Sequence, residues 1–196
     1  MAKPTVRENE PLPQDAAFVS WSKRLRKSDE RAFSELFEAM QVRLLQYAFG
    51  ITRDREVARD IVQDTFLKLW QIRETVDPAR SLKALLYTIV RNLALNSQRA
   101  AGRTNGVFPE HGITDPAPSA DENVHADLVQ KALYRFIDEL PERRRMAFVL
   151  TRFEGLSHDE VAQAMNLTPR TVNTHIVLAM KDLRKRMKRL QSGQTP

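Results

Sequence analysis

Six apolar residues near the carboxyl end recur at helical spacing: Val172, Ile176, Ala179, Leu183, Met187 and Leu190, at steps of four, three, four, four and three. Such a run puts one continuous hydrophobic face on a long helix. Thr168 is placed to cap that helix, and Pro169 suits its first position, where a missing N–H is no loss. Just upstream lies a shorter unit. Ser157 and Glu160 have capping-box spacing, Val161, Ala162 and Met165 form one stripe, and Asn166 suits a left-handed stop. A short capped helix, a turn of about three residues and a longer basic helix predict a helix-turn-helix.

The side opposite the apolar stripe carries Arg170, Thr174, Val177 and Lys181, with Thr171 and Asn173 on its flanks. These groups can hydrogen-bond base edges and phosphates, and a helix N-terminus itself attracts phosphate. The alternative is an ordinary helical hairpin with a solvated polar face. DNA binding is the reading favoured here, with Arg170, Thr171, Asn173, Thr174 and Lys181 as candidates.

The totals agree with that choice without requiring it. The 196 residues suffice for one large or two small domains, and the net charge of +6 favours a polyanionic partner. The absence of cysteine excludes disulfides, thiolate metal sites and cysteine nucleophiles. The four histidines (His111, His125, His158 and His175) are scattered, so no metal and no cofactor is expected. No stretch approaches roughly 20 apolar residues, and the amino end lacks a signal-peptide pattern. The protein is expected to be cytoplasmic and not membrane-embedded.

Residues 1–14 hold three prolines among charges and predict a disordered arm. An amino-terminal helical domain follows over 15–100. Asp15 starts a short helix carrying Phe18, Trp21 and Leu25. Ser28 or Asp29 starts the next, which carries Phe33, Leu36, Phe37, Met40, Leu44, Tyr47 and Ala48 and has Gly50 near its end. Asp54 opens a third helix with Val57/Ala58, Ile61/Val62, Phe66 and Leu69/Trp70 on one side and Asp60, Gln63, Asp64 and Lys68 on the other. After the break at Asp77-Pro78, a fourth helix runs from about Ser81 with Leu82, Leu85, Leu86, Ile89 and Leu93 as its stripe.

That fourth helix carries an anomaly, because Asn96 projects onto the apolar stripe and Asn92 onto its edge. A buried amide without partners costs about 1–3 kcal/mol. Either the helix emerges from its bundle there, or the amides meet a polar ligand. Tyr87, Arg91, Gln98 and Arg99 gather toward the same end, and aromatic stacking on unpaired bases would suit single-stranded DNA.

Over 101–127 the apolar repeat stops and Arg103 stands alone against Glu110, Asp115, Asp121, Glu122 and Asp127. This predicts a flexible acidic linker between two basic domains. The carboxyl domain, 128–191, starts with Leu128, Leu133, Phe136, Ile137 and Leu140. Pro141 then restarts the chain into Arg143–Arg145, Met146, Phe148, Val149, Leu150 and Phe153. Arg143–Arg145 read as a solvated patch or as a contact for phosphate or an acidic partner. Residues 192–196 form a tail. The expected fold is all-α: two small helical domains joined by a flexible linker, the second a four-helix domain containing the helix-turn-helix.

With both halves in view, the chain resembles the sigma-70 family of bacterial transcription initiation factors, in particular the two-domain extracytoplasmic-function (ECF) type. AFSELFEAM, DIVQDTFLKLW and LLYTIVRNLALN resemble the family's region 2, while LPERRRMAFVLTRFEGLSHDEVAQAMNL and TPRTVNTHIVLAMKDLR resemble region 4. The resemblance runs from about Ala32 to Arg186. It implies that Asp60, Gln63 and Asp64 dock on the β′ clamp of RNA polymerase core. It places Asn92, with Arg91 and Asn96 beside it, near the extruded base and melted strand of the −10 element. The carboxyl domain would engage the β flap and the −35 element, and the linker would run toward the RNA exit path as an acidic nucleic-acid mimic. An anti-sigma factor is implied as a further partner.

The chain departs from the pattern at Leu85, where the family often has tryptophan. It departs again at Asn173, His175 and Leu178, where many members have arginines, so base contacts cannot be copied across. The implied mechanism is binding and not catalysis. Asp60 and Asp64 share a helix face, but no second carboxylate–histidine pair accompanies them. The competing reading is a two-domain helix-turn-helix regulator acting without core polymerase.

Overall fold

The computed structural model describes Pro13, residues 15–102 and residues 124–192. The expected arm over 1–14, most of the linker and the tail after Ser192 therefore lie outside the described residues, Pro13 excepted. The described elements are helical, and they cluster into an amino-terminal and a carboxyl-terminal unit.

The first unit comprises α1 (Asp15–Leu25), α2 (Glu30–Thr52), α3 (Arg55–Ile72), a 3-10 turn (Arg73–Thr75) and α4 (Leu82–Ala100). Local chemistry sets each boundary. Ser28 turns the chain with φ +57°, and the Asp29 carboxylate then accepts from the Arg31 and Ala32 amides to start α2. Arg24 donates to Asp29 and Glu35 and holds both carboxyls below their ordinary range. Gly50 lies near the end of α2, as expected, two residues before Thr52, and is still helical. Arg53 instead takes the left-handed conformation at φ 56°, and Asp54 caps α3 immediately afterwards through the Glu56 and Val57 amides. Ser81 caps α4 through the Ala84 amide.

Helix α2 is the hub and packs against α1, α3 and α4. Leu36, Met40 and Leu44 on α2, Leu69 on α3 and Leu82, Leu86 and Tyr87 on α4 are all buried. Edge-to-face aromatic pairs join α2 to its neighbours: Phe37 with Phe66 at 4.8 Å and Tyr47 with Tyr87 at 5.0 Å between centroids. Lys83 is buried yet not isolated, lying over the Phe18 ring and 3.7 Å from Asp15, which ties α1 to α4.

The carboxyl half comprises α5 (Val124–Asp138), α6 (Glu142–Arg152), α7 (His158–Met165) and α8 (Pro169–Gln191), all in the second unit except the end of α7 from Gln163. Its first helix starts at Val124, so residues 124–127, expected in the linker, are helical backbone. Ile137, Leu140 and Phe148 pack with Ala179 and Leu183 of α8. The trio Arg143–Arg145 is split by this packing. Arg145 is buried and donates to the Asp138 carbonyl at 2.8 Å, Arg144 pairs with Asp182 at 2.7 Å, and Arg143 alone is exposed.

Candidate nucleic-acid interface

The helix-turn-helix is assembled by hydrogen bonds at each end of α7, reciprocal at its start. After α6 the chain reverses at Gly155, φ 64°, a conformation that suits a residue without a Cβ. The Ser157 amide donates to the Glu160 carboxylate at 2.7 Å while the Glu160 amide donates to the Ser157 hydroxyl at 3.3 Å, completing the capping box. Asn166 stops α7 with φ 52°, and the Leu167 amide returns to the Ala162 carbonyl at 2.9 Å. Asn166, Leu167 and Thr168 form the whole turn. The Thr168 hydroxyl then accepts from the Thr171 amide at 3.2 Å and starts α8 at Pro169.

Packing sorts α8 into two faces. Val172, Ile176, Ala179 and Leu183 are buried, together with Val161, Ala162 and Met165 of α7. Arg170, Thr174 and Lys181 are exposed on the opposite side, with Val177 in their midst and Asn173 exposed on the flank. The stripe fades toward the carboxyl end: Met187 is half-buried and Leu190 exposed, although both fall on the projected hydrophobic face. Thr171 differs from the other candidates. It is half-buried, with its hydroxyl 2.9 Å from that of Thr168, and serves the cap. The Thr174 hydroxyl donates to the Arg170 carbonyl at 3.0 Å, so outward it offers lone pairs and a methyl group.

His175 lies on the flank of the same helix. Burial pushes its imidazole below the ordinary value, and the charges of Arg143 and Arg144 push in the same direction.

In the first unit, α4 resolves the asparagine anomaly. Its buried face centres on Leu86, Val90 and Ala94, while Leu85 and Leu93 are only half-buried. That rotation leaves Asn92 and Asn96 exposed, one turn apart, so the amides are wetted and not buried. Arg99 donates to the Asn96 side-chain carbonyl at 3.2 Å and brings a charge to this face. Arg91 is half-buried about a quarter-turn away from Asn92. Two residues that sequence placed near this end have other roles. Tyr87 is fully buried and cannot stack on a base, and Gln98 donates to the Ile51 carbonyl at 2.6 Å.

On α3, Asp60, Gln63 and Asp64 are all exposed on one face. Leu67, 54% exposed, lies on that face seven residues after Asp60. The apolar pairing along α3 passed over it. The available signal was a large aliphatic residue off the buried stripe and amid acids and amides.

Among the described residues, no helix is long and apolar enough to cross a membrane. Together these features define a two-domain, all-helical protein with a DNA-binding helix-turn-helix in its carboxyl half.

Comparison with known proteins gives this class a family. The model for sigma-70 region 2 matches residues 36–104, and that for sigma-70 region 4 matches residues 130–183. The ECF RNA polymerase sigma factor SigL of Mycobacterium tuberculosis is 28% identical over 150 residues, covering 76% of this chain and 85% of that protein. The RNA polymerase sigma-H factor of Pseudomonas aeruginosa is 27% identical over 180 residues, covering 85% and 92%. Among solved structures, the Bartonella quintana sigma factor RpoE, in complex with the anti-sigma factor NepR, shares the fold with TM-score 0.64 at 24% identity. That match covers 80% of this chain and 96% of that one. CnrH, in complex with the cytosolic domain of CnrY, does so with TM-score 0.61 at 22% identity, covering 91% and 99%. The chain belongs to the sigma-70 family and is an RNA polymerase sigma factor of the ECF type, acting in transcription initiation.

Proposed function

We propose that this sigma factor divides promoter recognition between the exposed face of α8 and the asparagine face of α4. The observation that carries the proposal is the segregation of α8. Val172, Ile176, Ala179 and Leu183 are withdrawn into the core while Arg170, Asn173, Thr174 and Lys181 stand in solvent. With RNA polymerase core holding the chain, that ridge enters the major groove of the −35 element. Arg170 suits guanine O6 and N7, Asn173 suits adenine N6 and N7, and Thr174 can accept from an exocyclic amine. Lys181, on the same face and about 16 Å along the axis from Arg170, suits a phosphate at the groove edge. Thr171 positions the helix through its cap.

Asn92 and Asn96, with Arg91 and Arg99 nearby, capture bases of the −10 element as they leave the stack. Extrusion costs a few kcal/mol, which a fitted polar surface offsets. Asp60, Gln63 and Asp64 dock on the β′ clamp, with Leu67 supplying apolar contact among them. The carboxyl unit engages the β flap. The action is binding without a covalent step, in the cytoplasm where the polymerase works. The related fold of the Bartonella quintana sigma factor RpoE, solved in complex with the anti-sigma factor NepR, supports a partner of that kind for this chain.

The test is promoter-complex formation by core polymerase loaded with the full chain. Arg170→Ala is expected to lower affinity by about 1–3 kcal/mol if Arg170 reads a base. Asn96→Ala should slow opening, read as permanganate reactivity of unpaired thymines, while leaving the upstream duplex contact unchanged. An Arg170→Ala chain that forms promoter complexes as well as the parent would remove α8 from the reading of the −35 element.

A further inference from the structure

Val177 is 57% exposed, the most exposed large apolar side chain among the described residues. It lies at the centre of a polar ridge, three residues after Thr174 and four before Lys181. The fold does not account for it: a β-branched residue at an exposed helix position loses rotamer freedom and recovers nothing by burial. The side chain cannot hydrogen-bond, so it has no use for a phosphate or for the donor and acceptor atoms of a base edge. One apolar group does face the major groove, the C5-methyl of thymine. Val177 is seven residues beyond Arg170, about 10 Å along the helix axis. That reach falls within a groove about 12 Å wide. The ridge around it is positive, with Arg170 on one side and Lys181 on the other, which draws a polyanion to this face.

We infer that Val177 is a specificity-determining residue that selects thymine in the upstream duplex element through contact with its C5-methyl group. The inference rests on the placement of α8 in the major groove proposed above, and it adds a base preference that charged and amide side chains do not supply. Contact with one methyl group corresponds to a threefold to fivefold preference for thymine over uracil at that position.

Core polymerase loaded with the full chain is used to select promoter duplexes from a pool randomised in the upstream region. Each thymine of the selected element is then replaced by deoxyuridine, which differs only in lacking the methyl group. The parent chain is expected to lose about threefold to fivefold in affinity at one or two positions. Val177→Ala should be indifferent to the same replacement, Val177→Thr, which keeps one methyl group, should retain part of the preference, and Arg170→Ala should keep it in full.

An upstream element without thymine, an element at which no thymine is sensitive, or a Val177→Ala chain as sensitive as the parent would overturn the inference. So would a Val177→Ala chain that loses affinity equally for thymine and uracil duplexes, because that result assigns the side chain to another contact. Failure of the underlying placement reads differently: no upstream sequence is enriched, or Arg170→Ala selects and binds like the parent.

Discussion

His175 shows how one side chain on the recognition helix couples pH to the fold. Burial and the neighbouring Arg143 and Arg144 charges hold its imidazole below the ordinary value, so folding disfavours the protonated form. The unfolded chain therefore binds that proton more readily. The resulting stability is present above the unfolded value of about 6.5 and is lost as pH falls from there through the folded value. Replacing it by glutamine should flatten the decline of the carboxyl unit's unfolding midpoint between pH 7 and pH 5, measured by thermal melts of parent and variant. A second residue-scale prediction separates the arginine trio. Arg145→Ala should destabilise by about 1.5–3 kcal/mol through loss of a buried charged hydrogen bond. Arg143→Ala should stay within about 0.5 kcal/mol. Urea titrations of the two variants would distinguish them, and equal losses would contradict the burial difference between these side chains.

At the scale of the element, α8 is buried on one side and exposed on the other, so substitutions on its two faces should have separable effects. Ile176→Ala removes a buried side chain and should lower stability by about 2–4 kcal/mol. Thr174→Ala should leave stability within about 0.5 kcal/mol and change promoter-complex formation instead. Denaturant unfolding paired with promoter binding checks both, and a Thr174→Ala chain that unfolds as early as Ile176→Ala would mean the faces are not independent. Caps behave similarly. Asp54→Ala, which removes the acceptor for the Glu56 and Val57 amides, should cost about 1 kcal/mol. That residue also follows directly on the left-handed Arg53, so the α2–α3 corner depends on two adjacent positions.

At the scale of the whole molecule, under the proposed function one chain joins two units that meet separate parts of a promoter. Tethering turns the second contact into an intramolecular one and can raise overall affinity by about 10²–10⁴ without any new contact. Cleavage at a protease site introduced into 103–123, after loading onto core polymerase, is expected to reduce promoter-complex lifetime by at least about 10². Retention of the parent lifetime after complete cleavage would show that core polymerase alone maintains the spacing.

Much of this organisation was legible in the chain. Ser157, Glu160, Asn166, Thr168 and Pro169 are all short-range signals: each acts on backbone groups within four residues, so spacing alone predicts the hydrogen bonds found. The same holds for Asp54 and Ser81. The segregation of α8 was legible for a related reason, since its buried and exposed faces differ sharply in polarity. Gly50 does lie near the end of α2, but the left-handed turn that follows falls on Arg53, whose residue type carries no such signal.

The linear order of residues determined the helices, their caps, the two-unit division and the polar ridge of α8, because these depend on neighbours one to four residues away. Tertiary packing decided which arc of α4 faces inward, which arginine of 143–145 is buried, where the α8 stripe loses its support, and that Leu67 and Val177 remain in water. These outcomes depend on the shape and length of helices distant in the chain. Periodicity gives a helix a direction, and only the surfaces that meet it determine how far that direction is rotated and how much of it is covered.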